Sequence, residues 1–321
     1  MRKYQLIIFP LLFVMSCGAP VVTGETPTAA VMPVETATQP QIQIEPTASI
    51  TPEPLIETSI APTIIEPATT GTTLYISGTM HIESKSDSWP PDVEAFLAFL
   101  EETTNAGMRW SIGADVGWLE NGVRVQEIVQ RANTMGVQWD VHAHEASDRA
   151  KAAYLLTQYG VTPTSVVSGM QIDEFDGLAQ QLTYQGYTWT PQVIWGGANC
   201  VGHRPGCDDT SIALYRPTST AQYKVHDPNG ALIRVGNTDH QLATAGQLLS
   251  LIAAGQYTVP ILSFTIMVEP EVLQIVNSED GLAELLAFIE GVKQNPSVHF
   301  GTIEETAQAW VDAGSVAIQI P

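Results

Sequence analysis

From residue 73 onward the chain switches repeatedly between two hydrophobic periods. Short β-rich runs are predicted as strands at 74–80, 109–113, 137–142, 165–168, 188–195, 258–267 and 298–301. Between them, apolar residues recur at helical spacing, as at Val93, Phe96, Leu97 and Leu100. Helices are predicted at 91–106, 123–135, 146–159, 174–184, 240–254, 281–294 and 303–313, several of them closed by Gly107, Gly136, Gly160 or Gly186. A long insertion, 196–239, interrupts the alternation and carries a hairpin-like stretch, 223–235, turning at Asn229-Gly230. Consecutive βα units predict an α/β fold, a parallel (β/α) barrel, with a doubly wound open sheet as the competitor. No Gly-rich phosphate loop follows the first strand, which argues against a nucleotide-binding version.

The first 72 residues follow different rules. Arg2 and Lys3 precede an apolar run from Leu6 to Met15, too short to span a bilayer. Val14-Met15-Ser16-Cys17 resembles the bacterial lipoprotein signal, so residues 1–17 are predicted to be a signal peptide with a lipobox, and Cys17 the lipidated residue. Residues 18–72 hold nine prolines and six Glu, with no Lys, Arg, Asp or aromatic residue. Such a composition cannot offset its ordering entropy and predicts a disordered Pro/Thr-rich tether. The folded domain is then 73–321, in an extracytoplasmic protein whose contact with the membrane is the lipid alone.

Charge narrows the partners. Thirteen Lys+Arg against 34 Asp+Glu give a net charge of −21, which excludes a nucleic-acid backbone as the natural ligand. Of three cysteines, Cys200 and Cys207 share one loop, and in an oxidising compartment they are expected to form a disulfide.

The candidate chemistry lies at strand ends. Residues i and i+2 of a strand share a face, so His142 and His144 project together, as do His81 and Glu83. Two imidazoles with a carboxylate suit a divalent transition metal, zinc foremost. Without a metal, the same histidines would simply hydrogen-bond at the mouth. Glu83 or Asp115 is the candidate base, although Asp115 also reads as a cap for the chain that follows. Trp118 and Trp195 follow strands, where an indole can stack on a sugar; packing in the core is the alternative. His226 is placed near the insertion's turn, within reach of the mouth or simply part of that turn.

These motifs resemble the polysaccharide deacetylase superfamily, the glycoside hydrolase/deacetylase barrel. Thr79-Met80-His81-Ile82-Glu83 stands where the family carries two adjacent aspartates. Gly136 to His142 follows the rhythm of its histidine motif, with His142 on the first metal histidine and His144 standing in for the second. Arg216-Pro217 matches the family's groove-lining Arg-Pro better than Arg204-Pro205. Met267 occupies the place of a late histidine, and Val298 to Glu305 resembles the final strand and helix. The resemblance implies a distorted (β/α)7-type barrel. It also implies a metal held by His142, His144 and either His81 or Glu83, with Arg216 holding the base or the oxyanion. The implied function is a surface-anchored, metal-dependent deacetylase acting on glycans. The alternatives are a non-catalytic relative binding carbohydrate or protein, and a metal-free glycosidase using two carboxylates.

Overall fold

The computed structural model describes residues 71–170, 172–196, 212–236 and 240–318. Cys17, Cys200 and Cys207, the signal segment and residues 18–70 of the tether lie outside them. Strands are β1 (Thr73–Ile82), β2 (Trp110–Ala114), β3 (Gln138–His142), β4 (Val166–Ser168), β5 (Leu182–Tyr184), β6 (Tyr187–Trp189), β7 (Val193–Trp195), β8 (Leu214–Tyr215), β9 (Ile233–Val235), β10 (Ile261–Glu269), β11 (Gln274–Ile275) and β12 (Val298–Phe300). Helices are α1 (Val93–Ala106), α2 (Val116–Asn121), α3 (Val125–Thr134), α4 (Ala146–Gln158), α5 (Phe175–Leu178), α6 (Leu242–Ala253), α7 (Leu282–Val292) and α8 (Ile303–Asp312). No helix among the described residues is long and apolar enough to cross a membrane.

The sheet runs β10-β1-β2-β3-β4-β7-β9, and each neighbouring pair is parallel. β11 and β8 add antiparallel edges on β10 and β9, and β12 shares an edge of β1 with β2. The result is a strongly curled, mostly parallel sheet forming a distorted half-barrel. Among the described residues no ladder joins β9 to β10; Ser263 Oγ donates to Gly236 O at 3.4 Å across that seam.

Alternation along the strands separates two apolar clusters. Ile76, Ile112, Val141 and Ile194 face the helices and pack with Phe96, Leu97 and Leu100 of α1. Val193, Trp195, Ile233, Val235 and Met267 belong to a second cluster, which α8 completes with Ile303, Ala307 and Trp310. Burying each such Leu, Ile or Phe stabilises the fold by about 1.5–3 kcal/mol. The first turn of α8 is also tied to the sheet. Ile303 N donates to Ser111 Oγ, and Ser165 N and Oγ donate to Glu304 Oε1.

The sequence expectation fails in two places. The helix expected over 174–184 is one short turn, α5, followed by the antiparallel β5–β6 hairpin. Thr183-Tyr184 and Tyr187-Thr188 favour strand, and Gln185 and Gly186, both at positive φ, make the tight turn between them. That hairpin and Pro191 also divide the strand expected over 188–195. In the insertion, Gly230 N closes a turn onto Asp227 O, but that turn does not join two long paired strands. β9 instead pairs in parallel with β7, because its Ile233 and Val235 complete the interior cluster.

Candidate metal centre

The centre begins with register. β1 extends two residues beyond its expected end, which puts His81 inside the strand and Glu83 one residue past it. His142 is the last residue of β3, and β2 runs between β1 and β3. The side chain that would separate them is missing: His81 pairs with Gly113, and Gly113 pairs with Asp140. A Cβ on Gly113 would lie 3.0 Å from His81 Cδ2 and 3.2 Å from both His142 Cβ and Ser168 Oγ. Across this gap the His81 and His142 rings meet, with centroids 4.1 Å apart.

His81, Glu83 and His142 each offer a ligand atom, all within 4.8 Å of one another. Donors on a tetrahedral ion at about 2.0–2.2 Å are separated by about 3.3–3.6 Å. The 3.5 Å between His142 Nε2 and Glu83 Oε1 already meets that spacing. A shift of a few tenths of an ångström to about an ångström in the other side chains closes the set. Two imidazoles and one carboxylate match a catalytic zinc set that keeps an open position, so the donor chemistry fits a divalent metal.

His144 stands beside this group. Its Nε2 is 3.2 Å from His142 Nε2 and 3.7 Å from Glu83 Oε2. Its Nδ1 donates to Gly169 O at 3.1 Å, which leaves the Nε2 lone pair facing inward when the ring is neutral. His142 Nδ1 is 2.9 Å from Ser168 Oγ. Two ring nitrogens this close share either a proton, as an N–H···N hydrogen bond, or a metal ion. Glu83, hydrogen-bonded to it, raises the His144 pKa, and metal binding there would compete with protonation. Burial raises the Glu271 carboxyl, and Glu269, Asp87 and Glu83 push it further the same way.

The remaining predicted residues occupy different positions. Asp115 is the N-cap of α2: Ser84 Oγ donates to Oδ2, and Trp118 N donates to Oδ1 at 2.9 Å. Burial raises its pKa, with Glu83 contributing. Trp118 is 1% exposed and stacked on Trp139, so it offers no face to a sugar. Arg216 packs away from a carboxylate: its guanidinium lies over Trp310 and donates to Gly230 O. His226 accepts from Arg216 N, with its ring 6.2 Å from Trp310. Both contact Trp310 of α8, and Pro217 and His226 form an isolated antiparallel bridge. Trp195 does reach the centre, perpendicular to His81 with centroids 4.9 Å apart.

Besides Gly113, three residues escaped sequence reasoning. Ser168 and Gly169 hold the two histidine rings, and their signal is only their place at the end of β4 and directly after it. His240 is buried at positive φ, donates Nδ1–H to Thr265 O at 3.0 Å and sits 6.3 Å from Trp195. In the sequence it reads as the start of a helix.

No protein-family model matches the chain, and no curated protein matches it. A solved structure from Pseudomonas aeruginosa PAO1, described as a probable polysaccharide deacetylase, superposes with a TM-score of 0.52 at 11% identity. The match covers 75% of this chain and 92% of that one. The chain has a polysaccharide-deacetylase-like fold. A glycoside hydrolase/deacetylase structure from Parabacteroides distasonis gives a TM-score of 0.47 at 13% identity, covering 77% of this chain and 73% of that one. On this deacetylase-like fold the His81–Glu83–His142 group sits at the carboxyl ends of β1 and β3, the face where barrel sites are built.

Proposed function

We propose that this chain is a metal-dependent hydrolase that removes acetyl groups from glycans, anchored outside the bacterial membrane through Cys17. One observation carries the reading: His81, Glu83 and His142 converge within 4.8 Å at the barrel mouth. His81, Glu83 and His142 would hold a divalent ion, which would supply polarisation of an acyl carbonyl and a more acidic bound water. Ser168 and Gly169 fix the imidazole rings so that Nε2 points inward. His144, with 47% of its side chain exposed, is the outermost of the set. It either completes the ligand set or carries the proton that the leaving amine needs. His144→Ala separates the two roles: zinc is lost in the first case, and turnover alone in the second. The test of function is acetate release from an acetylated glycan by zinc-loaded protein, abolished by a chelator and restored by zinc.

A second reading, glycan binding without turnover, is favoured by Asp115. That carboxylate is committed to Ser84 and to the α2 cap, which leaves Glu83 as the carboxylate inside the group, where a ligand cannot also serve as the base. Zinc and glycan binding with no acetate release would select it. For the anchor, Cys17→Ala should move the protein from membrane to soluble fractions; unchanged fractionation would refute it.

A further inference from the structure

Four of the buried indoles have a hydrogen-bond partner. Trp110 donates to Thr103 Oγ1, Trp139 to Val129 O, Trp189 to Thr164 O and Trp310 to Val316 O. Trp195 differs: it is 3% exposed, and its Nε1 is buried with no hydrogen-bond partner. A buried donor left unpaired costs a fold about what a lost hydrogen bond does. This one belongs to the residue packed against a candidate metal ligand. Trp195 ends β7 on the interior side, perpendicular to His81 and 6.3 Å from the His240 ring.

The chemistry of the missing partner follows from the indole. Its N–H donates only and does not titrate in the working range, so its complement is a hydrogen-bond acceptor and not an ammonium. Next to a cation-holding group, that complement is an acyl or carboxylate oxygen. We propose that the Trp195 N–H binds the acyl oxygen of the ligand seated at the His81–Glu83–His142 centre, and so sets how the acyl group is oriented. This rests on the metal-hydrolase reading above and adds the recognition element to it. A donor aimed where negative charge develops gains strength as the charge grows, so its removal should lower kcat more than it raises KM.

The test uses the zinc-loaded protein with 15N-labelled indoles, titrated with acetate. The expected result is a single indole N–H resonance, absent from Trp195→Phe, that moves downfield as acetate binds. Trp195→Phe should keep one zinc per chain yet bind acetate about tenfold more weakly, equivalent to about 1.4 kcal/mol. If Trp195→Phe fails to fold, Trp195→Tyr provides the assignment by the same subtraction, and the wild-type titration decides. The proposal is overturned if acetate binds while the Trp195 resonance stays still. The N–H is then simply packed on the His81 ring. Equal acetate affinity in wild type and variant overturns it too. A wild-type protein that takes up no zinc defeats the metal reading itself and this proposal with it; zinc analysis before acetate is added makes that failure recognisable.

Discussion

Ser168→Ala isolates the part of the centre that does not touch the metal. His142 is buried, and its Nδ1 lies 2.9 Å from Ser168 Oγ. With the proton on Nδ1 and donated to Oγ, Nε2 keeps its lone pair for an ion. Removing Oγ leaves Nδ1 in a place water does not readily reach. The ring then favours the other tautomer, with its proton on Nε2 facing Glu83 Oε1 at 3.5 Å. A metal must first strip that proton. Loss of such an outer-shell partner typically weakens metal binding by about 10–100-fold, or about 1.4–2.8 kcal/mol. The fold itself should lose only about 1 kcal/mol for one hydrogen bond, a fall in Tm of about 2–4 °C for a domain of this size. Zinc affinity measured by competition with a chromophoric chelator at neutral pH checks the first figure, and thermal unfolding the second. A folded Ser168→Ala protein that binds zinc within twofold of wild type would refute the reasoning.

Gly113→Val should be worse, because its side chain would enter a gap where a Cβ alone would lie 3.0 Å from His81 and 3.2 Å from His142; zinc stoichiometry below one, in protein that still shows native circular dichroism, is the expected outcome. Asp140→Asn tests the buried carboxyl beneath the centre, which burial pushes up to about 8 despite the Thr164 hydrogen bond. Because the folded-state pKa lies above the unfolded value, the contribution of Asp140 is fully present below about pH 4 and falls as pH rises toward 8. The stability of Asp140→Asn relative to wild type should therefore grow with pH by up to about 1.4 kcal/mol per unit across that window; a pH-independent difference in denaturant unfolding would contradict this.

Much of the sheet was legible because its signals are local. Strand and helix periods placed β1, β2, β3, α1, α4 and α8, and the i, i+2 rule put His81 with Glu83 and His142 with His144. What was not legible depends on non-local register. Nothing near Gly113 in the chain says that it lies between two histidines; only the pairing of β1, β2 and β3 does so. Ser168 and Gly169 acquire their roles from the β3–β4 ladder, and His240 from a backbone carbonyl on β10. Trp118 and Arg216 were misplaced because an aromatic or an arginine after a strand reads alike whether it faces a ligand or a neighbouring tryptophan. The β5–β6 hairpin was missed because a closing Gly reads as a helix stop as readily as a tight turn.

The central claim is that His81, Glu83 and His142 bind one ion. Anomalous diffraction at the zinc edge, on crystals of the zinc-loaded protein, tests it directly. The account predicts one strong peak at the mouth, with His81, Glu83 and His142 donating at about 2.0–2.2 Å, and no such peak in His142→Ala crystals grown the same way. A peak elsewhere, or an empty mouth at saturating zinc, would contradict it.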